Sequence, residues 1–422
     1  MKVVIIAGGK GTRIASVNSD IPKAMIPING KPILEYEIEM AKRYGFTDFI
    51  FIIGHLGEQI KAYFGNGNKW NVDIEYFNEE IPLGTAGALA YLKDKLNEDF
   101  FVFYGDTVMD FDMHAMLEYH RKKCADATLF VHPNDHPYDS DIVSLDTEGK
   151  ITTFFNKPHS EDFVSHNVVN AALFIFTPKI LDYISIGTKS HIEKDVLPRC
   201  LASGLQLYGY TSFEYIKDMG TPDRYHAVTS DIASGKVARL NRKNSRPAIF
   251  LDRDGVVTKE INLLCKPEQI EIIDGAADAI RRINASEYLA IMVTNQPVIA
   301  RNLCSIEELN FIHAKMETLL GQKQAYINAI YYCPHHPDGG YPEERKEYKI
   351  KCDCRKPAPG MLLKAVKDWN IDIEKSIMIG DRDSDIQAGI AAGCKAALIG
   401  KGNHGQMMTA ESLFDFVDTV FK

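Results

Sequence analysis

Two short apolar runs, each opening straight into a loop of phosphate-handling residues, constrain this chain more than anything else in it. Val3 to Ile6 runs into Ala7-Gly8-Gly9-Lys10-Gly11-Thr12-Arg13, and Ala248 to Leu251 runs into Asp252-Arg253-Asp254-Gly255. A buried strand that ends in such a loop starts an α/β unit whose chemistry sits at the C-terminal ends of its strands. Two starts this far apart imply two units and two active sites. The length of 422 residues agrees, because single cores stop growing well short of it.

With 45% hydrophobic and 25% charged residues, the chain reads as globular. A net charge of −9 argues against a general nucleic-acid binder, which needs a basic surface. Phosphate ligands remain open, since they need only a few local cations and backbone N–H groups. The run after Met1 is too short and lacks the cleavage pattern of a signal peptide. No segment approaches the apolar length that spans a bilayer. The expectation is a cytoplasmic protein with no membrane partner, in which disulfides are disfavoured. Five of the eight cysteines (Cys124, Cys200, Cys265, Cys304, Cys394) are scattered and read as ordinary buried or half-buried thiols.

Up to about Ser234, short runs rich in Val, Ile and Phe alternate with amphipathic stretches such as Ile33–Tyr44 and Thr85–Lys95. That alternation is an α/β pattern. The polar, basic segment 236–246 reads as a solvated linker. After Pro247 the alternation restarts, with strands at Ala248–Leu251, Leu289–Val293, Ile327–Tyr332 and Ser376–Ile379 and helices at Ala276–Asn284, Ile306–Leu320 and Gly360–Asp368. The expected domains are therefore 1–235 and 247–422, joined by 236–246.

In the first domain, Gly8, Gly9 and Gly11 let the backbone approach a polyphosphate, and Arg13 supplies a fixed cation. Pro22-Lys23-Ala24-Met25-Ile26-Pro27 and Gly30-Lys31-Pro32-Ile33-Leu34-Glu35-Tyr36 follow. Then come Pro82-Leu83-Gly84-Thr85-Ala86-Gly87, Gly105-Asp106-Thr107, Asn156-Lys157-Pro158, Asn170-Ala171-Ala172, Glu193-Lys194-Asp195 and Asp218-Met219-Gly220-Thr221-Pro222. This ordered set resembles the sugar-nucleotide pyrophosphorylases, a nucleotidyltransferase family. The resemblance implies a Rossmann-like, glycosyltransferase-A-like mixed sheet. A sugar 1-phosphate would attack the α-phosphorus of an NTP, and pyrophosphate would leave. Gly8, Gly9, Gly11, Thr12 and Gly84 would bind the nucleotide, and Arg13 and Lys23 would offset charge on the triphosphate. Asp106 and Asp218 would hold Mg²⁺, a hard cation suited to carboxylate and phosphate oxygens. Lys157, Asn170 and Glu193 would bind the sugar phosphate. Two positions depart from the family pattern on the sugar side: Asn156 stands where Glu is frequent, and Ser140-Asp141-Ile142-Val143 replaces Tyr-Gly-Val-Val.

In the second domain, Asp252-Arg253-Asp254-Gly255-Val256-Val257 is followed by Thr294-Asn295-Gln296, Lys356 and Gly380-Asp381-Arg382-Asp383-Ser384-Asp385. Between them, Cys333-Pro334-His335-His336 and Cys352-Asp353-Cys354 offer three thiolates and an imidazole. That donor set suits a closed, tetrahedral, structural Zn²⁺. His335 is taken as the fourth ligand, with His336 as its alternative. The order of motifs resembles the haloacid dehalogenase phosphohydrolases. With the cysteine loop and Arg355-Lys356-Pro357 it resembles the D-glycero-D-manno-heptose 1,7-bisphosphate 7-phosphatases and their histidinol-phosphatase relatives. The resemblance implies a Rossmannoid domain with a zinc loop and a minimal cap. Asp252 would be the nucleophile and Asp254 the general acid and base, while Thr294 and Lys356 would meet the transferring phosphoryl group. Asp252, Asp381 and the backbone of Asp254 would hold Mg²⁺. Asn295 and Arg355 would bind substrate, Arg355 at its second phosphate. Asp385 reads either as a supporting partner of these groups or as a helix N-terminal residue. Gln296-Pro297-Val298-Ile299-Ala300 departs from the family's small-Gly-Ile-Ala.

Removing the distal phosphate of a 1,7-bisphosphate leaves a sugar 1-phosphate, which is the acceptor a nucleotidyltransferase needs. The first half resembles heptose 1-phosphate guanylyltransferases and their mannose 1-phosphate relatives. The combined expectation is an enzyme of NDP-heptose synthesis for lipopolysaccharide, S-layer or capsule, with GTP the favoured nucleotide and a homo-oligomer allowed. The alternatives are the same two chemistries on another sugar or with UTP, or one half acting as a non-catalytic regulatory module.

Overall fold

The computed structural model describes residues 1–9, 20–340 and 343–421. Lys10, Gly11, Thr12 and Arg13 thus lie outside the described residues. By its contacts the chain divides into two units. The first is Met1–His132, Val143–Asn156 and Asn170–Arg242; the second is Pro133–Ile142, Lys157–Val169 and Lys243–Lys422. The main break, between Arg242 and Lys243, falls within the expected join, and the second unit also takes in 133–142 and 157–169.

The strands of the first half are β1 (Val3–Ile6), β2 (Asp48–Ile53), β3 (Asp73–Asn78), β4 (Phe100–Tyr104), β5 (Thr107–Asp110), β6 (Ala127–His132), β7 (Ile142–Leu145), β8 (Ile151–Phe155), β9 (Val169–Phe176), β10 (Leu207–Thr211) and β11 (Tyr215–Asp218). Nine form one mixed sheet in the order β8-β7-β9-β4-β1-β2-β3, with β6 joining β9 to β10. Its centre, β4-β1-β2-β3, is parallel, and β9 runs antiparallel to β4. These strands are continuous β-branched and aromatic runs because both faces are covered. The core on one face is strongly aromatic, with Phe49, Phe51, Phe101, Phe103, Phe111 and Phe130 all buried. Helix α1 (Ile33–Arg43) lays Ile33, Leu34, Ile38 and Ala41 against the unit's interior, the i, i+4 spacing of an amphipathic helix. Strands β5 and β11 pair as a separate antiparallel ribbon.

The second unit carries six parallel strands: β12 (Ala248–Leu251), β13 (Leu289–Asn295), β14 (Ala329–Cys333), β15 (Ile377–Gly380), β16 (Lys395–Ile399) and β17 (Met408–Ala410). Their order is β14-β13-β12-β15-β16-β17. The chain builds outward from β12 on one side and then returns to build the other, so the order reverses beside β12. A crevice for ligand opens at that reversal. Among the flanking helices, α2 (Ala276–Ala285) and α3 (Ile306–Gly321) are amphipathic, and α3 starts in a capping box between Ser305 and Glu308. Helices α4 (Gly360–Trp369), α5 (Asp383–Ala392) and α6 (Leu413–Val420) complete the unit. An α/β architecture for both halves is thus borne out.

Three local expectations are corrected. The stretch Thr85–Lys95 is not an amphipathic surface helix; Gly87–Leu92 forms 3₁₀ turns with five of its six residues buried. Cys124 is exposed rather than buried. Most of 236–246 is not a solvated linker. Lys236–Arg239 is a short helix, and Asn241 is buried, its Nδ2 donating to Tyr44 Oη (2.9 Å) and Asp110 Oδ1 (2.8 Å). Arg242 donates to Tyr210 Oη (2.6 Å) through Nη1 and to Glu214 Oε1 (3.0 Å) through its backbone N–H. The polar composition misleads because these residues answer buried acids and tyrosines of the first unit.

Asn241→Ala removes the donor to Oδ1 of the buried Asp110 and leaves Arg43 on its Oδ2. The expected cost is about 1–3 kcal/mol, read as a lower urea midpoint for the first unit's unfolding transition. An unchanged midpoint would return Asn241 to the solvated linker.

Candidate active sites

Strand register assembles the second site. Leu251 of β12 lies beside Met292 of β13 and Ile379 of β15. Asp252 and Asp381, just beyond their strands, and Thr294, near the C-terminal end of β13, therefore gather at one edge of the sheet. Gly255 has φ +79°, and a side chain there would strike the Asp381 carboxylate, so the turn after Asp254 needs glycine. Lys356 arrives from the loop before α4 and is 3% exposed. Its ammonium contacts Asp252 Oδ1 (2.8 Å), Asp385 Oδ1 (2.7 Å) and the Val293 carbonyl (2.8 Å). Asp385 also accepts the Arg382 backbone N–H (3.0 Å), so both roles open to it in the sequence are filled at once.

The carboxylates of Asp252, Asp381 and Asp385 lie within 4.8 Å of one another. Burial lifts the Asp252 carboxyl above the ordinary range, against the opposing pull of Lys356. Burial and the neighbouring charge of Asp385 push Asp381 up to about 6. Asp381 Oδ1 is buried with no hydrogen-bond partner. A buried carboxylate oxygen without a donor, in a cluster of three acids, fits a hard divalent cation. The cluster adds the Asp385 side chain to the Asp252 and Asp381 that the sequence named. Asp252 and Asp385 line a cavity of about 210 Å³ together with Asp254, Thr294, Arg355 and Lys356. At its rim Arg382 pairs with Glu260 (2.7 Å), a pair that no sequence motif announced.

Two predicted substrate groups have structural work. Asn295 pairs twice with the Lys356 backbone, Nδ2 to its carbonyl and Oδ1 from its N–H, both at 3.0 Å. Arg355 lines the cavity and donates to the His335 carbonyl (3.1 Å). The four predicted zinc ligands come together. Cys354 Sγ lies 3.2 Å from both Cys333 and Cys352, Cys333 lies 3.6 Å from Cys352, and His335 Nδ1 lies 3.4 Å from Cys354. Such edges fit a tetrahedron of thiolates and imidazole around Zn²⁺. His336 turns instead to Asp338, which resolves the choice between the two histidines.

In the first unit, Ile6 of β1 stands between Ile52 and Tyr104. The loops at Gly8-Gly9, Gly54 and Gly105-Asp106 thus emerge side by side. Lys23 forms an ion pair with Asp106. The β5–β11 ribbon pairs Thr107 with Asp218, and Met219 N–H donates to the Asp106 carbonyl (2.9 Å), which brings the two predicted metal carboxylates to adjacent strand ends. Burial acts to raise the Asp218 carboxyl, but the charge and hydrogen bond of Arg224 (2.6 Å) prevail and hold it low. Gly84 has φ +79° against the Ser190 backbone. Glu193 accepts from Tyr104 Oη (2.5 Å), and Asn170 Oδ1 accepts the Ala172 N–H (3.2 Å). Lys157 belongs to the second contact unit, where it donates to the Asp139 carbonyl (2.9 Å). Gly11, Thr12 and Arg13 lie outside the described residues.

Arg224 and Glu37 are additions to the sequence reading. Glu37 is fully buried and neither of its oxygens has a hydrogen-bond partner; burial and the nearby charge of Asp106 hold its carboxyl high. Its position three residues after Leu34 on α1 already puts it on the buried face.

Two α/β units, each with charged groups gathered at the C-terminal ends of its strands, define an enzyme with two phosphate-handling sites. The nucleotidyl transferase family model matches residues 2–235, and the chain belongs to that family. Residues 353–418 match the HAD-hydrolase-like model. Among relatives, the UTP–glucose-1-phosphate uridylyltransferase of Synechocystis sp. is 33% identical over 287 residues, covering 64% of this chain and 72% of that protein. The mannose-1-phosphate guanylyltransferase of Mycobacterium tuberculosis is 33% identical over 234 residues, 55% of this chain and 64% of that protein. The D-glycero-beta-D-manno-heptose-1,7-bisphosphate 7-phosphatase of Haemophilus influenzae is 38% identical over 170 residues, 40% of this chain and 90% of that protein. The chain is a bifunctional fusion: a nucleotidyltransferase followed by a haloacid dehalogenase-type phosphatase. No helix among the described residues is long and apolar enough to cross a membrane.

The purified chain is expected to carry zinc, and Cys354→Ser to lose most of it, measured by elemental mass spectrometry after gel filtration. Full retention of zinc by the variant would remove the Cys333–His335–Cys352–Cys354 assignment.

Proposed function

We propose that the second unit hydrolyses the 7-phosphate of D-glycero-D-manno-heptose 1,7-bisphosphate. The first unit then transfers a nucleotidyl group from GTP to the resulting heptose 1-phosphate, releasing pyrophosphate. The observation that carries the reading is the buried Lys356 clamped between Asp252 and Asp385 at the foot of a polar cavity. It is the electrostatic seat of a phosphoryl transfer to Asp252, and the Haemophilus relative supplies the substrate class.

In this mechanism a carboxylate oxygen of Asp252 attacks the phosphorus of the 7-phosphate, and the bond from phosphorus to the sugar oxygen breaks. Asp254 gives its proton to the departing alkoxide, and Lys356 and the Thr294 hydroxyl hold the phosphoryl oxygens. Asp254 then takes a proton from water, whose oxygen attacks the aspartyl-phosphate and frees inorganic phosphate. Asp252, Asp381 and Asp385 would hold Mg²⁺, which supplies charge neutralisation at the phosphoryl group when bound. Arg355, beside the cavity, suits the substrate's other phosphate.

In the first unit the phosphate oxygen of the sugar 1-phosphate attacks the α-phosphorus of the nucleotide. Lys23 and Arg13 offset charge on the triphosphate, and Asp106 and Asp218 would hold Mg²⁺. No covalent intermediate is needed, so positioning and electrostatics carry this step. Gly8, Gly9, Gly11, Thr12 and Gly84 serve the nucleotide, and Asn170 and Glu193 the sugar phosphate. The similarity to a uridylyltransferase, which runs over the longer stretch of chain, keeps UTP and another hexose as the second reading.

Asp252→Asn, an isosteric change, is expected to lower phosphate release from the bisphosphate by roughly a thousandfold or more while leaving pyrophosphate release from supplied heptose 1-phosphate and NTP intact. Asp106→Ala should do the reverse. Phosphate release is followed with each anomer of the bisphosphate, and pyrophosphate release with each anomer of the heptose 1-phosphate and each NTP in turn. Pyrophosphate release with UTP but not GTP would select the second reading, and retained phosphate release by Asp252→Asn would remove that residue from its role.

A further inference from the structure

Gln296 and Arg253 take no part in the mechanism above, yet they grip the residue that moves its protons. Arg253 is 0% exposed. Its guanidinium forks onto Asp254, Nε to Oδ1 at 3.0 Å and Nη2 to Oδ2 at 2.9 Å. The same Nη2 donates to Gln296 Oε1 (3.0 Å), and Nη1 faces His313 Nε2 at 3.4 Å. Gln296 turns its nitrogen the other way: Nε2 donates to Asp254 Oδ2 (3.1 Å) and to Thr294 Oγ1 (2.9 Å). Thr258 Oγ1 completes the set by donating to Asp254 Oδ1 (3.1 Å).

Chemistry fixes the sense of the Gln296 amide. Reversed, its oxygen would face a carboxylate and its NH₂ a guanidinium. Gln296 is 2% exposed, so the amide has no room to seek water instead. One side chain therefore ties the Asp254 carboxyl to the Thr294 hydroxyl, and a buried cation locks the tie from behind. A general acid acts well only when its carboxyl is held within a narrow range of position.

We propose that Gln296, braced by Arg253, is a positioning residue that sets the Asp254 carboxyl for proton transfer to the leaving oxygen. The inference rests on the phosphatase reading above. Its signature is selectivity by leaving group. A sugar alkoxide needs a proton to depart, whereas p-nitrophenolate leaves unaided.

The test uses the full chain with Mg²⁺ and two substrates, the heptose bisphosphate and p-nitrophenyl phosphate. In Gln296→Met, the single-turnover rate of leaving-group release, which precedes the water attack common to both substrates, is expected to fall about 30-fold on the sugar substrate and less than about threefold on p-nitrophenyl phosphate. Arg253→Lys keeps the charge but loses the fork and should show the same selective loss. Equal losses on both substrates, the mark of a merely structural role, would overturn the proposal. So would full activity on both. A wild-type chain inert toward both substrates would overturn the phosphatase reading itself, and this inference with it.

Discussion

The ammonium of Lys356 sits out of reach of water with a carboxylate on either side, and the second unit is arranged to make that tolerable. A buried charge is stable only when paired and hydrogen-bonded, and removing one partner leaves the other stranded. Here Asp252, Asp381 and Asp385 face the Lys356 ammonium and, beside Asp381 at 3.9 Å, the Arg382 guanidinium, so three carboxylates meet two cations. A divalent cation removes that excess, and the unpartnered oxygen of Asp381 is a place for it to act. The loop with the zinc ligands ends in Arg355-Lys356, so the structural metal and the catalytic charge are joined through a few residues of backbone. A metal held by Cys333, His335, Cys352 and Cys354 would thus be part of how Lys356 is delivered.

The first unit handles its acids differently. Asp106 rests on Lys23 and Asp218 on Arg224, each carboxylate parked on a side-chain cation at a partly exposed edge. Exposure makes such pairs weak and easily exchanged. That suits a site whose own charges must give way to a triphosphate and its metal. The two units solve the same problem of holding phosphate, one in a closed charged cavity and the other on an open strand edge.

Much of this was legible because the chemistry lies immediately after apolar tetrads. Ile6 and Leu251 end strands in the parallel centres of their sheets, and parallel register carries Asp106, Thr294 and Asp381 to the same edges. The zinc set was legible because thiolate spacing survives without a fold. What composition hid is side-chain destination. Asn295 looked free for substrate, yet its amide is spent on the Lys356 backbone, a partner that sequence spacing cannot reveal. Residues 236–242 looked solvated because they are polar, but the acids they answer lie far off in sequence, at Asp110 and Glu214. Arg253 passed as a spacer between two aspartates, since burial of a guanidinium leaves no mark in a motif.

The second contact unit draws in segments 133–142 and 157–169, which lie more than seventy residues ahead of its first strand. A cut at the polar join after Arg242 would therefore separate two catalytic labels but not two folding units. The second half would lose pieces of its own surroundings that the first half encodes. Although the sequence reads as two enzymes laid end to end, a gene split at that point would part the second unit from segments 133–142 and 157–169, which its own contacts include.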